Sequence, residues 1–128
     1  MKSYSFQRDQ RLLKPSEYKA VFDCVDGRVS HSGFLLLAHV TSHKGRLGLV
    51  VSKKNMKKAV ERNRFKRRVR DTFRLNQENL IGLDVVVLAR PGALNMSDPE
   101  LNTALQKAWI KLKKRCTVDN SVKKASNL

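Results

Sequence analysis

Acidic side chains are scarce in this chain. Eleven Asp and Glu stand against 27 Lys and Arg in 128 residues, a formal net charge of +16. So cationic a surface calls for an anionic partner. Nucleic acid is the first candidate, and an anionic membrane surface is a distant second. Long apolar runs are missing as well. No stretch approaches the roughly 18 residues that a membrane-spanning helix needs. The opening MKSYSFQRDQR has no apolar segment behind its charges, so no secretory signal is expected there. Cysteine is limited to Cys24 and Cys116, far apart in sequence, with no CxxC and no histidine at ligand spacing. Two free thiols in a reducing compartment, the cytoplasm, are expected. Protein-borne catalytic motifs are absent too. There is no HExxH, no DxD and no glycine-rich phosphate loop.

What remains fits one domain with a real core. Residues 1–13 read as a flexible basic arm, residues 14–115 as a single α/β domain and residues 116–128 as a basic, disordered tail. Pro15 suits a first helical turn, and Tyr18, Val21 and Phe22 then share one face, with Gly27 as a stop. Residues 34–41 and 47–52 read as strands joined in a hairpin through the polar segment 42–46. Residues 28–32 form a possible edge strand. LDVVVLA at 83–89 reads as a strand covered on both faces. Helices are expected over about 57–75 and from Ser97 to near Arg115. The second opens with a Ser97/Glu100 capping box and buries Leu101, Leu105, Ala108 and Leu112, with Ala104 and Trp109 on the flanks. The order helix, two or three strands, helix, strand, helix predicts one compact α/β layer protein.

The charge is concentrated. Between Lys53 and Arg74 lie eleven basic residues and two acids, so this segment supplies +9 of the +16. On a helix at 100° per residue, Ala59, Phe65, Val69 and Phe73 share an apolar arc. Asn63, Arg67, Arg70 and Arg74 fall on the opposite side, and Lys57, Arg64 and Arg68 form a neighbouring row. Arg62 and Lys66 fall inside the apolar arc and must snorkel from it. Met56 and Val60 fall on the polar side. A merely solvated helix mixes signs at i, i+4, whereas this one stacks arginines there, and each like-charge pair costs a few tenths of a kcal/mol unless an anion relieves it. The arginine fork suits bidentate contact with phosphate.

Ser52-Lys53-Lys54, followed by Ala59-Val60-x-Arg62-Asn63-Arg64-x-Lys66-Arg67-x-x-Arg70 and Phe73-Arg74, resembles the signature of the bacterial ribonuclease P protein family. The segment from Leu12 to Phe22 and the segment DVVVLARP at 84–91 resemble the family's first helix and the strand after its basic helix. Asp71 stands where glutamate is more usual, and Tyr18 where phenylalanine is common. The resemblance implies an α+β two-layer sandwich of the ribosomal S5 domain 2-like type. It would have a four-stranded sheet, three main helices and a left-handed β-α-β crossover. It also implies a protein, monomeric without RNA, that binds the catalytic RNA of ribonuclease P and the 5′ leader of precursor tRNA. The phosphodiester chemistry would belong to the RNA and its Mg²⁺. Lys53, Lys54, Arg62, Asn63, Arg64, Lys66, Arg67, Arg68, Arg70 and Arg74 would face the RNA. Tyr18, Phe22, Phe34 and Leu37 would line a leader groove between the first helix and the sheet.

Each aromatic also has a plain reading as core, and Tyr18 and Phe22, one turn apart, fit both. Asp23 and Asp26 could hold a hydrated Mg²⁺ or stand as a solvated pair. Two other functions fit the composition. One is a structural, ribosomal-type RNA-binding protein without turnover. The other is a DNA-binding regulator with the basic helix in a major groove, though so wide an arginine band would clash with base reading.

Overall fold

A computed structural model describes residues 11–41 and 45–126, with side chains through Cys116. Residues 1–10, most of the expected N-terminal arm, lie outside it, as do residues 42–44 and 127–128. Helix α1 spans Pro15–Asp23, with proline in its first turn and the Glu17 carboxylate accepting the backbone N–H groups of Leu13 and Lys14. Strands β1 (Gly27–His31) and β2 (Phe34–Val40) follow, then β3 (Arg46–Val50). Helix α2 covers Ala59–Leu75, β4 covers Leu83–Ala89, and α3 covers Asp98–Ser126. Short 3-10 turns at Gln77–Leu80 and Pro91–Asn95 flank β4.

The sheet order is β1-β2-β4-β3. The hairpin expected between the strands at 34–41 and 47–52 is therefore not formed. β4 lies between them, antiparallel to β2 and parallel to β3. The physical reason is burial. Val85, Val86 and Val87 are all fully buried, a demand only a central strand meets. The hairpin is instead β1–β2, turning at Ser32-Gly33.

The two sheet faces are covered unequally. On one, α2 contributes Phe65, Val69 and Phe73, and α3 contributes Leu101, Leu105, Trp109 and Leu112, over Phe34, Leu36, Val85 and Val87. The Trp109 Nε1–H donates to Thr72 Oγ1 at 3.0 Å, and its ring meets Phe73 edge-on. The indole thus gains a polar partner and aromatic packing together. The Ser97/Glu100 capping box opens α3 as expected.

On the other face α1 covers only part of the sheet, where its Val21, with Leu12 before it, packs on Leu37 and Val86. It can lie that close because residue 48 is glycine. A Cβ there would come within 2.6 Å of the Tyr18 ring and 2.9 Å of Leu12.

Both expected domain boundaries shift. Leu12 is buried and its N–H donates to Leu47 O at 2.9 Å, so the basic arm is already docked at its last residues. Cys116 is buried in the main core, against Gly27. α3 runs on past Arg115 to Ser126. No glycine or proline follows Pro99 to stop it. Gly27 does not cap α1 but opens β1.

Candidate nucleic-acid interface

The turn from β3 into α2 is held by side chains. Ser52 Oγ accepts from Asn55 N, and Asn55 Nδ2 reaches Ala89 O at the end of β4. Met56, expected on the polar side, is buried in the core before the helix begins. This frame holds Lys53 and Lys54 exposed at the mouth of α2.

Along α2 the expected cations divide into two sets. Arg62 resolves the clash with the apolar arc by turning back, its Nη1 donating to Met56 O and Lys57 O at 2.9 and 2.8 Å. Arg64 crosses to the start of α3, where it pairs with Asp98 at 2.5 Å and donates to Met96 O. Arg68 pairs with Asp71 at 2.9 Å, and Arg74 lies 3.8 Å from the same carboxylate. These arginines are occupied in holding the fold.

Asn63, Lys66 and Arg67 make no side-chain hydrogen bond or ion pair within the described residues. Arg70 goes further: its Nε is buried and has no partner among the described residues. An unmatched buried donor on a cation is costly. A ligand oxygen delivered to it would remove that cost. Asn63, Arg64, Arg67 and Arg70 line one shallow concavity with Val60, which is 71% exposed. Ala59, expected in the apolar arc, is exposed at the helix start.

The residues expected in the leader groove do not all meet. Strand parity separates them. Phe34, Leu36 and Ala38 face α2 and α3, while Leu35, Leu37 and His39 face α1. Phe34 is fully buried in the main core, stacked on His31 at 4.6 Å, and does not join Tyr18, Phe22 and Leu37. Leu37 is buried beneath α1. Tyr18 is half-buried, its hydroxyl accepting from Leu49 N at 3.2 Å. Phe22 is 44% exposed.

Where α1 stops covering the sheet, Val50, Leu88 and Leu35 are cross-strand neighbours in one row, all at least partly exposed. These three form a partly exposed apolar row that was not identified from the sequence. Their signal was register, which depends on β4 occupying the centre.

One further residue escaped the sequence reading. Arg46 makes a fork onto Asp84, Nε to Oδ1 at 3.1 Å and Nη2 to Oδ2 at 2.7 Å, while Nη1 reaches Glu17 at 2.8 Å. It ties α1 to the sheet that the groove is built on. The backbone N–H groups of Lys14 and Leu13, and then Arg46, hold the Glu17 carboxyl below its ordinary value. A depressed folded value stabilises the fold above the unfolded value, about 4.3 for Glu. That contribution is lost as pH falls through the lower folded value. Urea unfolding of wild type and Glu17→Gln should differ at neutral pH and converge in acid. A gap independent of pH would remove Glu17 as the acid-sensitive clamp.

Each aspartate whose side chain is described has a partner. Asp23 pairs with Lys19, Asp26 with His39, Asp71 with Arg68, Asp84 with Arg46 and Asp98 with Arg64. Asp23 and Asp26, read as a Mg²⁺ pair or a solvated pair, take separate partners. Among the described residues no group of three carboxylates converges.

A four-stranded mixed sheet with a helix that presents arginines without partners among the described residues defines an α+β protein suited to a polyanion. The chain belongs to the ribonuclease P protein family, whose model, described as Ribonuclease P, matches residues 6–113. It is 49% identical over 113 residues to the ribonuclease P protein component of Pseudomonas entomophila, covering 88% of this chain and 85% of that one. It is 45% identical over 126 residues to that of Marinobacter nauticus, covering 95% of each. Among solved structures, the RNase P protein of Staphylococcus aureus superposes with a TM-score of 0.70 at 26% identity, covering 77% of this chain and 91% of that one. The Thermotoga maritima protein gives 0.59 at 28%, covering 76% and 96%.

Proposed function

We propose that this chain is the protein subunit of ribonuclease P and that it binds the catalytic RNA through α2. The observation that carries the reading is the unsatisfied set on that helix, Asn63, Lys66, Arg67 and the buried Nε of Arg70, in a chain of this family. Lys53 and Lys54 extend the set toward the groove. The phosphodiester chemistry is assigned to the RNA and its Mg²⁺. The protein's part is to neutralise phosphates and to hold substrate. Tyr18, Phe22, Leu35, Val50 and Leu88 form a surface on which an unpaired 5′ leader of precursor tRNA can stack, and base stacking contributes about 1–3 kcal/mol per base. The free protein is a monomer and works in the cytoplasm. Among the described residues no helix is long and apolar enough to cross a membrane.

The test is single-turnover cleavage of a 5′-extended precursor tRNA at low Mg²⁺ by the catalytic RNA, alone and with this protein. Stimulation of about tenfold or more is expected, within the usual range of coupling between two ligands on one scaffold. Folded protein that binds the RNA without stimulating cleavage would favour a structural RNA-binding role. Selective binding of duplex DNA would favour a regulator.

A further inference from the structure

Cys24, Asp26 and His39 have no motif spacing in sequence, yet the fold gathers them. Their ligand atoms all lie within 4.8 Å of one another. Asp26 Oδ2 is 3.1 Å from His39 Nδ1, and Asp26 Oδ1 is 4.0 Å from Cys24 Sγ. The site arises at a junction. Cys24 is the first residue past α1, Asp26 precedes β1, and His39 stands near the end of β2.

We infer that these three side chains bind a zinc-class divalent ion that clamps the end of α1 to the sheet. The argument begins with ligand chemistry. Thiolate, imidazole and carboxylate together suit Zn²⁺ or its spectroscopic substitute Co²⁺, and a thiolate disfavours Mg²⁺ and Ca²⁺.

Dimensions agree. Zn–S near 2.3 Å and Zn–N or Zn–O near 2.0–2.1 Å at tetrahedral angles place the ligand atoms about 3.3–3.6 Å apart. The Asp26 oxygens Oδ2 and Oδ1 lie 3.1 and 4.0 Å from His39 Nδ1 and Cys24 Sγ, and the ligand atoms span no more than 4.8 Å, so side-chain adjustments of up to about an ångström close the site.

Asp26 is held from behind. Its backbone N–H donates to Ala38 O at 2.7 Å, and Val40 N donates to Oδ2 at 2.8 Å. Metal ligands are commonly oriented by outer hydrogen bonds of this kind. Cys24 is exposed, which gives the ion an entry path and leaves the fourth position to water. Binding releases the thiol proton to solvent and requires neutral His39 with its proton on Nε2.

The site lies on the α1 side of the sheet, away from α2. Because α1 forms one wall of the groove, an ion here fixes the position of that wall.

The test uses the full chain without RNA, titrated with Co²⁺. A thiolate-to-cobalt charge-transfer band in the near ultraviolet and visible bands of four-coordinate intensity are expected, saturating at one equivalent and lost on adding Zn²⁺. Cys24→Ser should abolish the charge-transfer band. His39→Gln should weaken binding at least tenfold. In parallel, Zn²⁺ should slow alkylation of Cys24 in wild type but not in His39→Gln, and millimolar Mg²⁺ should not. Circular dichroism confirms that each variant is folded. Absence of the thiolate band with wild type, its persistence in Cys24→Ser, or equal Zn²⁺ protection of Cys24 in wild type and His39→Gln would each overturn the site.

Discussion

Replacing Arg67 and Arg70 together with alanine should weaken binding of the catalytic RNA about 100-fold at moderate salt while leaving the fold intact. The proposal that α2 faces the RNA requires it. Arg67 has no side-chain partner within the described residues, and Arg70 keeps a buried, unmatched Nε. Both line the concavity on α2 and can make charge-assisted bonds to phosphate there, each contributing about 1.5–3 kcal/mol. Removing two contacts should also flatten the log–log salt dependence by about 1.5. Arg64 makes an instructive contrast. It belongs to the same sequence motif, but its guanidinium is tied to Asp98 and Met96 O at the start of α3. Arg64→Ala should loosen the seam between α2 and α3, with a smaller change in salt slope. Filter binding across a salt series, with unfolding curves for each variant, separates the two effects. Unchanged affinity and slope in a folded Arg67/Arg70 variant would move the RNA contact off this helix face.

Arg46→Met is expected to cost about 3 kcal/mol of unfolding free energy. Breaking a buried pair by removing one partner typically costs 3–5 kcal/mol, because the abandoned charge stays desolvated. The lower end applies here because Arg46 remains 23% exposed. Asp84 is the group left behind, only 4% exposed on β4 directly opposite Arg46. Glu17 would lose the same partner, so the damage should spread to α1. In a protein whose total stability is of the order of 5–15 kcal/mol, the loss is large. Adding Asp84→Asn should recover part of it, because the second change removes the stranded charge. A double variant no more stable than Arg46→Met would show that packing of the arginine stem, not its charge, holds the helix.

The legible parts of this fold were those with a periodic signal or a chemical one. β4 announces itself through three valines, α2 through Phe65, Val69 and Phe73 at helical spacing, and the start of α3 through Ser97 and Glu100. Where the signal was uniform, the sequence could not choose. FLLLAHV is apolar on both parities, so nothing local says that Phe34 faces α3 and Leu37 faces α1. That assignment is made by pairing with β4, 43 or more residues away in sequence. The same long-range pairing broke the expected β2–β3 hairpin. The arginine stripe was legible as composition but not as chemistry. Which guanidinium is occupied depends on Asp98 and Met96 from the far side of the core. The Arg46 clamp and the Cys24–Asp26–His39 cluster are tertiary in the same way, and neither has a spacing rule.

The central position of β4 also imposes an order on biosynthesis. β3 pairs in the sheet only with β4, and β2 needs β4 for its second neighbour. When the ribosome has made the first 82 residues, the nascent chain holds one hairpin and the whole cationic segment, but no sheet for α2 to pack against. The segment richest in arginine thus leaves the exit tunnel before its own core exists, beside a particle built largely of RNA. Folding commits only with the last third of the chain, because non-local pairing must wait for its partner. A message truncated before Leu83 would release a polycation with no fold to restrain it.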